Sequence, residues 1–82
     1  MKISVIIPVY NAANTINKTI EAILSQIKSD SAVEVIAVDD GSTDATPDIL
    51  DTFKQVKTIR QNNSGPACAR NSGAKIATGD IL

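Results

Sequence analysis

Three short runs of β-branched residues, each closed by a polar turn and followed by a stretch of helical period, are the feature that most limits how this chain can fold. The first run is Ile3-Ser4-Val5-Ile6-Ile7, stopped by Pro8. It lacks the apolar–polar alternation of a half-exposed strand, so it reads as a strand covered on both faces, as in a parallel sheet. Ile16, Ile20, Ile23, Leu24 and Ile27 then recur at helical spacing, which predicts an amphipathic helix over roughly 13–27. Asn11 or Asn14 can cap its start, and Ser29-Asp30-Ser31 reads as a loop. Val33 to Val38 is a second strand, ending at Asp39-Asp40-Gly41. Thr46-Pro47 reads as cap and first residue of a second helix, with Ile49, Leu50 and Phe53 on its inner face and Asp44 and Asp48 favouring its start. Val56 to Arg60 is a weaker third strand. After the turn chemistry of Asn62-Asn63-Ser64-Gly65-Pro66, the alanines from Ala67 to Ala77 predict a third helix with a small-residue face that buries Cys68. Gly79-Asp80 breaks it, and Ile81-Leu82 begins a fourth strand. The order β-α-β-α-β-α-β(start) predicts an α/β, Rossmann-like, three-layer half domain on a parallel sheet with right-handed crossovers.

Composition removes several functions. With 8 Lys+Arg against 9 Asp+Glu the net charge is −1, which is wrong for a chain that must neutralise nucleic-acid phosphates. There is no His, hence no imidazole base and no His-ligated metal. The single Cys68 cannot make an internal disulfide or a thiolate-rich zinc site. No apolar run reaches the ~18 residues of a membrane span, and the segment after Lys2 is too short for a leader. The expectation is a cytoplasmic chain without a membrane span. The chain of 82 residues holds one unit, 1–82, which reads as the front part of a larger domain. Its open sheet edge favours pairing with a second copy.

In open α/β sheets, ligands bind outside the carboxyl ends of the strands. Three polar segments gather there: Pro8-Val9-Tyr10-Asn11, Asp39-Asp40-Gly41-Ser42 and Asn62-Asn63-Ser64-Gly65. Asp39 and Asp40 can accept from a ribose or a base N–H, hold a metal, or cap the turn that follows. Tyr10 can stack on a base or pack on its own loop. Arg70 can clamp a diphosphate bidentately or lie solvated on its helix. Gly65-Pro66 can leave helix-start N–H groups open to a phosphate. Asn71 and Gly73 are poor helix residues and point to a close backbone approach or a distorted turn. The glycines at 41, 65, 73 and 79 form neither a G-x-G-x-x-G turn nor a P-loop, which disfavours dinucleotide oxidoreductases and P-loop phosphotransferases.

Taken together, Ser4-Val5-Ile6-Ile7-Pro8-Val9-Tyr10-Asn11, Val38-Asp39-Asp40-Gly41-Ser42-Thr43-Asp44 and Asn63-Ser64-Gly65-Pro66-Ala67-Cys68-Ala69-Arg70-Asn71-Ser72-Gly73 resemble family 2 glycosyltransferases of the GT-A fold. The resemblance implies the nucleotide-sugar-binding part of an inverting transferase, with a UDP-sugar as partner. On it, Asp40 would accept from the base N–H and Asp39 would support the loop or reach the ribose. Pro8 and Tyr10 would wall the base beside Asn11, and Gly65 and Arg70 would lie on the ribose-diphosphate side. The family's Asp-x-Asp metal motif follows the next strand, so Mg²⁺ or Mn²⁺ is expected in the full-length enzyme and not from these residues. The catalytic base is likewise expected beyond them, leaving the chain inactive alone. Two other readings stay open: a non-catalytic nucleotide-binding module, and a half domain that folds by edge pairing.

Overall fold

The structure, a computed structural model, describes residues 2–26 and 32–81. Ile27, the Ser29–Ser31 loop and Leu82 lie outside them. The elements are β1 (Ile3–Val9), α1 (Ile16–Gln26), β2 (Val33–Asp39), α2 (Thr46–Asp51), β3 (Val56–Arg60), α3 (Pro66–Ile76) and β4 (Asp80–Ile81). The four strands form one parallel sheet in the order β3-β2-β1-β4. This is the α/β, Rossmann-like arrangement that the alternation of runs predicts.

The two-residue period of the strands sorts side chains into two cores. Val35 and Ala37 of β2, Val9 of β1 and Val56 of β3 meet Ile16 and Ile20 of α1 and Leu50 of α2 on one face. Ile36 and Val38 turn the other way, to Ala69 of α3, with Ile6 and Ile59 beside them. Chain direction explains the layering. The crossovers β1-α1-β2 and β2-α2-β3 advance in one direction across the sheet, whereas β3-α3-β4 returns past β2 and β1, so α3 covers the opposite face. Because both faces of β2 are covered, its centre, Val35 to Val38, is apolar without alternation, with Glu34 before it and Asp39 after it.

Four local expectations need correction. Pro8 does not end β1, which runs on through Val9. The bonds Ile3 N–H to Ala32 O and Asp40 N–H to Val9 O put the odd residues of β1 on the β2 side. The missing N–H of Pro8 therefore faces the β4 side, where pairing among the described residues covers Ile3 and Ser4, and leaves the β1–β2 ladder intact. Asp80 opens β4 rather than preceding it. Phe53 falls beyond the six-residue α2, half-buried. Cys68 is exposed, because the buried stripe of α3 is Ala69 and Gly73, and a neighbouring helix position is rotated by about 100°.

Gly73 shows why that stripe is small. A Cβ there would lie 2.6 Å from Cγ2 of Ile6 and 3.2 Å from Cγ2 of Val38. The close approach that its sequence position implied is the seating of α3 on the sheet.

At the amino ends of the strands, Glu34 binds several segments together. Its Oε1 accepts from the Ser4 hydroxyl at 2.6 Å and the Thr78 N–H at 2.7 Å, and its Oε2 pairs with Lys57 Nζ at 2.7 Å. Lys57, then Ser4 and Thr78, hold its carboxyl well below the usual range.

Candidate nucleotide-binding site

The three polar segments singled out in the sequence meet at the carboxyl ends of β1, β2 and β3, tied by side chain to backbone bonds. Asn11 carries a positive φ of 45°, which Asn tolerates better than most residues. Its N–H donates to the Ser42 hydroxyl at 2.8 Å, and its Oδ1 accepts from the Thr43 N–H at 2.8 Å. The side chain thus joins the first loop to the second and does not cap α1, which starts at Ile16. The Ala12 N–H donates to Thr46 Oγ1 at 2.9 Å, and the Ala13 N–H to Asp44 Oδ2 at 3.2 Å. Asp44 also accepts from the N–H and hydroxyl of Thr46, and these bonds hold its carboxyl below the ordinary range. One acid therefore holds the first residue of α2, whose N-cap position is Ala45, and receives the β1 loop.

Asp39 and Asp40 are both buried, and they diverge. Asp39 shares a face with α2. Its Oδ1 accepts from the Ser42 N–H at 3.1 Å and holds the turn. Among the described residues its Oδ2 has no hydrogen-bond partner, only the Arg60 Nε at 3.4 Å. Arg60 also donates from Nη2 to the Ser42 carbonyl at 3.0 Å.

Asp40 turns to the opposite side and organises the β3–α3 loop. Its Oδ1 accepts from Gln61 Nε2 and the Ser64 N–H, each at 2.8 Å, and its Oδ2 from the Gly65 N–H at 2.9 Å. Asn63 Nδ2 donates to the Asp40 carbonyl at 3.1 Å. The Gln61 amide first, then the Ser64 and Gly65 N–H groups, keep this carboxyl ionised below its ordinary value against the cost of burial. Gly65 has a φ of 95°, open to glycine but strained for other residues. Gly41, at 78°, also packs so closely that a Cβ would come 2.8 Å from the Asn63 nitrogen.

Above this frame lie two clefts. Pro8, Val9, Tyr10, Asp40 and Pro66 line one of about 170 Å³. Tyr10 is 52% exposed, so its ring is a wall with a free face. Gly41, Ser42, Thr43, Arg60, Gln61 and Asn62 line a shallower, wider one of about 600 Å³. The predicted residues Pro8, Tyr10 and Asp40 thus come together in the first cleft. Gly65 binds Asp40 at its edge, Asn11 and Asp39 hold the loops, and Arg70 lies exposed on α3, lining neither cleft. Arg60 and Gln61 are additional. The sequence showed Arg60 as the end of a weak strand and did not single out Gln61, and only the pairing of β3 with β2 brings them beside Asp39 and Asp40.

No group of three His, Cys, Asp or Glu side chains among the described residues lies close enough to hold a metal ion. Asp39 faces a guanidinium and Asp40 is engaged by three donors, so this donor set does not fit Mg²⁺ or Mn²⁺, which need several free oxygen ligands. No helix among the described residues is long and apolar enough to cross a membrane.

Known proteins resemble this chain in sequence and in fold. The chain is 39% identical over its whole length to a poly(ribitol-phosphate) beta-glucosyltransferase of Bacillus spizizenii, of which it covers 14%. Over 85% of its length it is 42% identical to the minor teichoic acid biosynthesis protein GgaA of Bacillus subtilis, covering 17% of that protein. The crystal structure of S. aureus TarS 1-349 in complex with UDP-GlcNAc superposes on the whole chain with a TM-score of 0.90 at 35% identity, and the chain spans 25% of it. The UDP complex of the same protein gives 0.89 at 34% identity. The sequence profile described as Glycosyl transferase family 2 matches residues 4–82. With that match added to the fold and the three joined loops, the chain belongs to glycosyl transferase family 2.

Proposed function

We propose that this chain is the nucleotide-binding part of an inverting glycosyltransferase that moves a sugar from a UDP-sugar to an acceptor hydroxyl. The observation that carries the reading is Asp40, an ionised carboxylate at the rim of a cleft walled by Pro8, Tyr10 and Pro66. An ionised carboxylate only accepts, and such a cleft suits a flat ring with an N–H on its edge. Tyr10 offers a stacking face and Asp40 the acceptor for uracil. Asn11 and Asp39 hold the two loops that shape the cleft, and Gly65 and Arg70 serve the ribose-diphosphate side. The choice of uracil is supported by TarS, whose structures carry UDP and UDP-GlcNAc.

In transfer with inversion, a base takes the acceptor proton, the acceptor oxygen bonds to the anomeric carbon, and the sugar–phosphate bond breaks to release the nucleoside diphosphate. This chain's share is to hold and orient the nucleotide. The base and the Asp-x-Asp metal motif belong to the remainder of such an enzyme, so the chain alone catalyses no transfer. The cytoplasm is its compartment, in keeping with a lone, exposed Cys68.

The test is a titration of the chain with UDP, followed by amide NMR. Shifts at Tyr10, Asp40 and Gly65 that disappear in Asp40→Ala are the expected result. A folded chain silent to millimolar UDP would overturn the reading.

A further inference from the structure

Gln61, the first residue after β3, has no catalytic chemistry of its own, yet its amide joins two parts of the site. Its Nε2 donates to Asp40 Oδ1 at 2.8 Å, and its Oε1 accepts from the Ser72 hydroxyl at 2.5 Å. Chemistry fixes this orientation. A carboxylate can only accept, so the amide NH₂ must face Asp40 and leave Oε1 for a hydroxyl donor. Ser72 sits on α3 next to Gly73, where the helix is seated hard against Ile6 and Val38. The amide is therefore anchored to a rigid element.

Two donors on Oδ1 and one on Oδ2 fix the plane of the Asp40 carboxylate. Oδ2 keeps one acceptor position free, and Asp40 lines the cleft of Pro8, Val9, Tyr10 and Pro66. We infer that Gln61, clamped by Ser72, is a positioning residue for base selection, holding the remaining Asp40 acceptor toward a base edge with an N–H between two carbonyls. A base with a ring-nitrogen acceptor at that place meets a carboxylate that cannot donate and is turned away. The inference rests on the nucleotide reading above and adds to it the residues that set selectivity.

Titrations of the chain and of Gln61→Met and Ser72→Ala with UDP and with CDP test it, with a thermal melt of each. Uracil carries the N–H at ring position 3, and cytosine carries an acceptor there. The parent chain is expected to prefer UDP. Gln61→Met should weaken UDP about tenfold and leave CDP unchanged, so the ratio collapses. Ser72→Ala should move the ratio the same way by about threefold. It carries the test if Gln61→Met does not fold. An unchanged UDP/CDP ratio in a folded variant, or equal losses for both nucleotides, would overturn the inference and leave the nucleotide reading intact. A folded parent chain that binds neither nucleotide would overturn both.

Discussion

At the residue scale, single atoms decide what the small and polar positions can be. A methyl at Gly73 would sit 2.6 Å from Ile6 Cγ2, and a β-branched neighbour on a strand has little freedom to turn away. Gly73→Ala is expected to cost about 1–3 kcal/mol, read as a lower midpoint in urea. Thr46 is fully buried, and its hydroxyl both accepts from Ala12 N–H and donates to Asp44. Thr46→Val keeps the shape and strands those partners, with an expected loss of about 1–3 kcal/mol. Thr46→Ser, which keeps the hydroxyl, should lose clearly less in the same melt. The pair Asp39-Asp40 was legible as a candidate from its place after a strand. That the two would part, one to the turn and Arg60, the other to the β3–α3 loop, depends on which side of the sheet each faces and what covers it.

At the element scale, helices and strands follow from hydrophobic period, and their junctions follow from polar bonds. Glu34, Asp40 and Asp44 each hold a junction, and each has its carboxyl lowered by its donors. The sign is the same for all three. A group with a depressed folded pKa contributes stability above its unfolded pKa and loses it as pH falls toward the folded value. Stability is thus expected to be level above about pH 5 and to fall below about pH 4, where unfolded carboxylates take up protons. Glu34→Gln should flatten part of that slope in melts taken between about pH 5 and 2.5. A slope unchanged in this variant would remove Glu34 from the account. The boundaries were less legible than the elements. Pro8 looked like a stop because its ring removes a donor, but the donor it removes faces away from β2, so the β1–β2 ladder runs on through Val9. Cys68 looked buried because a small thiol usually is, but the register of α3 gives the inner position to Ala69.

At the scale of the whole molecule, the sheet order β3-β2-β1-β4 gathers three loops at one rim, and the chain spans only 14–17% of the curated relatives described above. If it carries the nucleotide share of the site and not the sugar share, UDP-GlcNAc should bind no more tightly than UDP, and Mn²⁺ should leave UDP affinity unchanged. Calorimetry of the three mixtures checks this. Tighter binding of the sugar nucleotide would show sugar contacts within the chain. Edge pairing is a separate proposal. Sedimentation over a range of concentrations should show a rising mass if the open edge joins two copies, and a constant monomer mass would end it.

The sequence by itself determined the class of fold, because β-branched runs and helical stripes in strict alternation leave few other ways to bury their apolar faces. It also determined where to look, because polar turns after parallel strands share one rim. Tertiary structure decided which atoms do what. Strand pairing set Arg60 and Gln61 beside the two aspartates, side-chain alternation sent Asp39 and Asp40 to different partners, and the seating of α3 brought Ser72 to Gln61. Apart from the Asp39–Ser42 turn, those contacts join residues 11–25 positions apart, and local propensity and periodicity do not register such distances.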